Sequence, residues 1–233
     1  MEDPVKRPLR TAAIMQPHFL PFAGYFDLMQ RADVFVLYDI AQFRRRSWHS
    51  RTWIRQGKQA AMLTAPVHLE SGARCPLDAV QLGDDKGWHR YALRRLKHVY
   101  GKLPMSLELL FKEGPPNLVD WNEAGINWLA EQVGVKTHML RSSQLAPPSD
   151  IDATAKLVWM CRRVEATRYL ATPGSKGYID ETKFESAGIT VVWLNYDYRH
   201  TLPDESGVKI FPSLLDLLLA EGSKRAELEV GRR

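Results

Sequence analysis

The stretch Thr11–Asp39, TAAIMQPHFLPFAGYFDLMQRADVFVLYD, constrains the fold more than any other part of the chain. Ala12–Met15 is a short apolar run of the kind that forms a buried strand. Two prolines and a glycine follow, and then Tyr25, Phe26, Leu28, Met29 and Ala32 recur at helical spacing, so a tight loop feeds an amphipathic helix. Val34–Tyr38 is a second apolar run and ends at Asp39. Strand, loop, helix, strand is a βαβ unit, which predicts a parallel sheet. Ligands of such sheets lie beyond the carboxyl ends of the strands. Gln16, His18 and Gly24 after the first strand, and Asp39 and Gln42 after the second, are therefore expected to share a crevice.

With 233 residues and 45% apolar content, the chain can bury the core of one large domain, and we expect a single α/β domain over 1–233. No run of eighteen apolar residues occurs, and MEDPVKRPLR lacks the apolar middle of a signal peptide. These features predict a cytoplasmic protein without membrane insertion. Cys75 and Cys161 are too few and too far apart for a disulfide framework or a cysteine metal site, and no other metal signature is present.

Further along, Thr52–Gln56 and Gln59–Pro66 flank Gly57 as a hairpin that extends or flanks the sheet. Ala79–Leu82 reads as one more short strand. The period then changes to 3.6 through Trp88–Tyr100, Ser106–Phe111 and Leu118–Val133, which predicts a helical insertion at about 85–133. The βα rhythm returns with strands at Thr137–Arg141, Arg168–Thr172 and Ile189–Asn195. Between them fall a helix capped by Asp152 or Thr154 and a short helix at Asp180–Ser186. Phe211–Leu219 predicts a closing helix packed on the sheet, and 223–233 a frayed tail. The expected architecture is a three-layer, mainly parallel, Rossmann-like sheet with a helical insertion.

Three stretches carry candidate chemistry. Gln16-Pro17-His18 to Gly24-Tyr25 lies before a helix N-terminus, where free backbone N–H groups favour an anion and His18 can add a charge or move a proton. Asp39, with Gln42, is a carboxylate at a strand end, able to act as a base or to tie down its own loop. The basic run Arg44–Arg51 concentrates part of the net charge of +5. In it Trp48, His49 and Arg51, followed by Trp53, alternate aromatic and polar groups, a pattern that suits stacking plus an Arg–phosphate bond or, equally, tryptophans packed in the core. The third stretch, Thr172, Gly174, Ser175, Lys176 and Tyr178 in TPGSKGYID, can wrap a phosphate with Lys176 as a point charge, although it lacks P-loop spacing. His18, Asp39, Arg51 and Lys176 are expected to face one cavity.

HFLPFAGYFDLMQRA resembles the phosphate-binding segment of the nucleotidylyltransferase superfamily, with His18 in the place of its first histidine and Tyr25 where the second is usual. That likeness speaks for a nucleotidylyltransferase-like sheet more than for nucleotidyl transfer. A closer resemblance covers nearly the whole chain: IMQPHFLPFAGYFDLMQRADVFVLYDIAQF, SWHSRTWI, YLATPGSKGYIDETKFESAGI and PSLLDLLLAEG look like the WbqC-like family, with departures at Thr52 and at Ala171–Gly174. The resemblance implies a role beside O-antigen and other surface-polysaccharide gene sets. It points to a transferase that attaches an aminoacyl group such as glycyl to a nucleotide-linked amino sugar, with ATP or aminoacyl-tRNA as co-substrate. The alternative from a different class is a non-catalytic module for a nucleotide sugar or RNA such as tRNA.

Overall fold

The computed structural model describes residues 8–69, 75–83, 87–195, 197 and 199–231. Its strands are β1 (Thr11–Met15), β2 (Val34–Leu37), β3 (Arg51–Gln56), β4 (Gln59–Thr64), β5 (Val67–His68), β6 (Gln81–Leu82), β7 (His138–Arg141), β8 (Arg168–Ala171), β9 (Thr190–Trp193), β10 (Leu202–Pro203) and β11 (Lys209–Ile210). The helices are α1 (Ala23–Gln30), α2 (Trp88–Tyr100), α3 (Met105–Glu113), α4 (Leu118–Gln132), α5 (Ser142–Leu145), α6 (Ala153–Arg163), α7 (Glu181–Ser186), α8 (Leu214–Glu221) and α9 (Ser223–Val230). The chain packs as two compact units, one of Met1–Met15, Leu28–Tyr38 and Thr137–Asn195, the other of Gln16–Asp27, Asp39–Lys136 and Tyr196–Arg233.

The first unit holds a five-stranded sheet in the order β7-β2-β1-β8-β9, with every pair parallel. Counted within the sheet, the order is 3-2-1-4-5, the doubly wound Rossmann-like arrangement, and the order reverses between β1 and β8. β2 is buried along its whole length, as its unbroken VFVL requires of a strand covered on both faces. On one face Ala12, Ile14, Val34, Val36, Tyr169 and Ala171 pack with Leu157, Met160 and Cys161 of α6 and Phe184 of α7. Tyr169 stacks on Phe184 with ring centres 4.9 Å apart. Ala13, Phe35, Leu37 and Leu170 alternate to the other face and are buried as well. Local signals place the helices: Asp152 accepts from the Ala155 N–H at 3.0 Å to start α6, and Asp180 accepts from the Thr182 N–H at 3.1 Å to start α7.

The second unit is built on helices α2, α3 and α4, which form where the 3.6-residue period predicts them. Its centre is aromatic. Phe19 stacks on Trp121 at 4.7 Å, and Trp88 and Phe111 meet Trp121 edge-on at 5.9 and 5.3 Å. Gly114 ends α3 where a Cβ would press into the Leu110 carbonyl and the Trp121 ring, so only glycine allows the chain to pass so close.

Three expectations are corrected. Arg51–Gln56 and Gln59–Thr64 form the expected hairpin, but among the described residues it is a two-stranded sheet of its own and does not extend the five-stranded one. The closing helix α8 packs against α4, α9 and β3, all within the second unit. Residues 223–230 form α9 instead of a frayed end. Ala226, Glu229 and Val230 are buried at an i, i+3, i+4 spacing too short and too charged to register as an apolar period. Part of the His68–Asp78 loop falls outside the described residues, as does the sequence between Leu82 and the helices at 84–86.

Candidate functional site

The loop Gln16–Phe22 follows β1, and its two prolines cannot donate backbone hydrogen bonds. Its carbonyls are instead gripped by other elements of the second unit. The Tyr25 hydroxyl of α1 donates to the Gln16 carbonyl (3.1 Å), Asn122 Nδ2 of α4 to that of Pro17 (3.1 Å), and Thr52 Oγ1 of β3 to that of Leu20 (3.0 Å). The Leu214 N–H at the start of α8 donates to Pro21 O (2.8 Å), and the Phe19 N–H donates to Trp48 O (2.8 Å). Leu20 sits in the left-handed region at φ 45°, a conformation that costs a branched residue free energy and persists because these contacts over-determine it.

The basic segment is tied to the same loop. Asn122 Nδ2 also donates to the His49 carbonyl at 2.8 Å, and His49 Nε2 donates to Gln16 Oε1 at 2.8 Å. His49 is 2% exposed, and its Nδ1 has no partner among the described residues. Burial first, and the Arg44 charge second, hold this imidazole down to about 4. His18 lies 5.4 Å from the Tyr25 ring and 6.2 Å from that of His49, centre to centre. His18 is half-buried. Desolvation, then like-charge repulsion from His49, brings it down to about 3, so both histidines are neutral at neutral pH.

His18 opens onto a cleft of about 340 Å³ within the second unit. Phe19, Pro21 and Phe22 from the loop, Trp48, Arg51, Thr52 and Trp53 from the basic segment and β3, Lys209 and Ile210 from β11, and Phe211 just after it line it. The tryptophans are not core residues: Trp48 is 46% exposed, and the Arg51 guanidinium carbon stands 5.9 Å from its ring centre. Arg51 opens β3 instead of ending a loop. Neither Arg51 nor Lys209 makes an ion pair among the described residues, and no hydrogen-bond partner is found there for the His18 ring. The cleft therefore combines apolar aromatic walls, two uncompensated cations and a neutral imidazole with one donor and one acceptor nitrogen.

The sequence-predicted residues divide. His18, Trp48 and Arg51 come together in this cleft. Gln16 and Tyr25 support it from behind. Tyr25 is 2% exposed, with its hydroxyl pushed well above the ordinary range by burial and then by Glu123. Gly24 is buried in the first turn of α1. Asp39 is 1% exposed and does not line the cleft, and Gln42 is exposed, its backbone bridging to Pro76. Thr172, Gly174, Ser175, Lys176 and Tyr178 belong to the first unit. There the Thr172 and Ser175 hydroxyls lie 3.2 Å apart, Tyr178 OH donates to Ser175 Oγ at 3.0 Å, and Lys176 Nζ stands 5.3 Å from the Trp193 ring centre.

Sequence reasoning missed Asn122, Lys209 and a buried cluster around Asp216. An asparagine on the apolar face of α4 was the available signal for the first, since a buried amide implies partners. Asp216 of α8 is fully buried. Its Oδ1 accepts from the Arg55 N–H (2.9 Å) and Tyr100 OH (2.5 Å), its Oδ2 from Arg55 Nη2 (3.3 Å) and His200 Nε2 (2.9 Å). Burial alone would raise this carboxyl, but the bonds from His200, Tyr100 and Arg55 together outweigh it and lower it. The described residues contain no group of three or more His, Cys, Asp or Glu placed to share a metal, and no helix long and apolar enough to cross a membrane.

No solved structure matches this chain. Rv1507c of Mycobacterium tuberculosis, an uncharacterized protein, is 27% identical over 226 residues, covering 93% of this chain and 96% of its own. A profile of the WbqC-like protein family matches residues 16–227, from the clamped loop through the Asp216 helix, and the chain belongs to that family.

Proposed function

We propose that this chain is a transferase of surface-polysaccharide or amino-sugar metabolism that attaches an aminoacyl group, for example glycyl, to a nucleotide-linked amino sugar. The observation that carries the proposal is the neutral His18, without a hydrogen-bond partner among the described residues, in a cleft that also presents Arg51 and Trp48. Arg51 would hold a phosphate and Trp48 a flat ring. The acceptor amine would attack the carbonyl carbon of an activated aminoacyl donor, an adenylate or aminoacyl-tRNA. The new C–N bond forms, the donor's C–O bond breaks, and the amine proton passes through His18 to the leaving oxygen. Of the two expected catalytic groups, the placement favours His18, because Asp39 is buried outside the cleft lining.

The test is incubation of the protein with a nucleotide-linked amino sugar and either ATP plus glycine or glycyl-tRNA, read by mass spectrometry. A mass gain of one glycyl group that His18→Ala abolishes supports the proposal. A second reading, a non-catalytic nucleotide-sugar module, draws on the same low basicity of His18, since an imidazole near 3 is a feeble base. No product with either donor, while the nucleotide sugar still raises the melting temperature, would replace the transferase by that module.

A further inference from the structure

We infer that the cleft takes the nucleotide end of its ligand, a heterocyclic base carrying a phosphate, and that β11 and the residue after it complete that site through Lys209 and Phe211. The inference rests on the cleft being the ligand site, and it stands apart from whether any group is transferred. A sugar ring presents hydroxyls around its whole edge, and each needs a partner when water is removed. None of the described residues lining this cleft is an Asp, Glu, Asn or Gln, the side chains that could serve several hydroxyls at once. Thr52, the sole hydroxyl among those lining residues, already gives its proton to the Leu20 carbonyl. A sugar would lose more hydrogen bonds to water here than it regains.

A nucleobase matches what is present. Its faces are apolar enough to lie on Trp48 and Phe211, which are 46% and 41% exposed, large aromatic surface left open to solvent. Its polar edge needs fewer partners than the hydroxyls around a sugar ring, and it can stay toward the open mouth of the cleft. The phosphate meets two cations from separate elements, Arg51 on β3 and Lys209 on β11, with no carboxylate in the lining to cancel them. The volume of about 340 Å³ lies at the small end of the range of about 300–1,000 Å³ for ligand pockets, a size that suits one nucleotide.

Calorimetry at low salt with uridine and adenosine 5′-monophosphates, the two nucleosides, a hexosamine 1-phosphate and inorganic phosphate tests this. A nucleotide is expected to bind at least about tenfold tighter than its nucleoside, the hexosamine 1-phosphate or phosphate. Lys209→Ala and Trp48→Ala should each weaken it about tenfold with unchanged melting, because both side chains are exposed. Hexosamine 1-phosphate binding as tightly as either nucleotide overturns the inference, as do no nucleotide binding at all and binding indifferent to both substitutions. Aminoacyl product formed equally well by the parent and both variants also overturns it while leaving the transferase standing. Nucleotide binding that needs Lys209 and Trp48 without any product leaves this inference standing and removes the transferase.

Discussion

His49 donates from Nε2 to Gln16 Oε1 across 2.8 Å, which joins the basic segment to the loop that carries His18. Because the carbonyl oxygen accepts, Nε2 carries a proton, and burial followed by the Arg44 charge keeps the ring in its neutral form. Gln16→Ala removes the acceptor and leaves a buried N–H without a partner, a loss of about 1–3 kcal/mol of stability. Urea denaturation measures it. A variant within a few tenths of the parent would mean that the bond contributes nothing net.

The same histidine sets a pH dependence. In the unfolded chain it takes up a proton as pH falls through 6.5, whereas the folded protein resists until about 4, so between these values the unfolded state binds more protons. Stability is therefore full above 6.5 and declines on acidification, by up to about 1.4 kcal/mol per pH unit for this group. His18 acts in the same direction, while Asp216, already below its ordinary 3.8, contributes only at more acid pH. Urea midpoints across this window should fall less steeply for His49→Gln than for the parent. Equal slopes would show that another group controls the transition.

Asp216 anchors α8 to β3, so Asp216→Ala strands the Arg55 guanidinium, the Tyr100 hydroxyl and the His200 ring together. Breaking a buried pair costs about 3–5 kcal/mol, and with the Arg55 side chain 32% exposed we expect the lower end, about 3 kcal/mol. Tyr100→Phe, which deletes the bond to Asp216 and the longer one accepted from the Arg55 N–H (3.2 Å), should cost about 1–2 kcal/mol. Guanidinium unfolding of both variants is the check, and a loss under about 1 kcal/mol for Asp216→Ala would place the cluster outside what holds these elements together.

Asn122 holds the Pro17 and His49 carbonyls with one amide. Asn122→Leu keeps the volume and orphans both acceptors, and should destabilise by about 2 kcal/mol or more. Ligand affinity should drop too, since the His18 loop loses a clamp. A destabilised variant that binds as tightly as the parent would separate Asn122 from the site.

Arg51→Ala should weaken a phosphate-bearing ligand by about 1.5–3 kcal/mol, the worth of a hydrogen bond to a charged group. The effect should shrink as salt is added, because the side chain is partly solvated. Calorimetry at two ionic strengths reads both, and an unchanged affinity at low salt would assign Arg51 to the solvated surface.

Periodicity and capping reach only a few residues along the chain, and what depends on them was legible. The apolar run Val34–Tyr38 announced a strand, the 3.6-residue period announced α2 and α4, and Asp152 or Thr154 announced the start of α6. The parallel sheet followed from the βαβ order, whereas the strand-end argument grouped His18 and Arg51 with Asp39 and Lys176 and left Trp48 open between stacking and the core.

What only the tertiary structure decided is who meets whom across long separations. Asn122 reaches back 105 residues to Pro17, and Arg55 reaches forward 161 to Asp216. Nothing within a helical turn of either residue encodes its partner, because such contacts form only when packing of the aromatic core closes the intervening chain. Lys209 shows the same limit: a strand of two residues has no period to read, and its place in the cleft comes from pairing with Leu202–Pro203. The sequence by itself determined the elements and the chemistry they carry, whereas burial, a property of the packed whole, sent Asp39 into the interior and left Trp48 and Arg51 at the cleft.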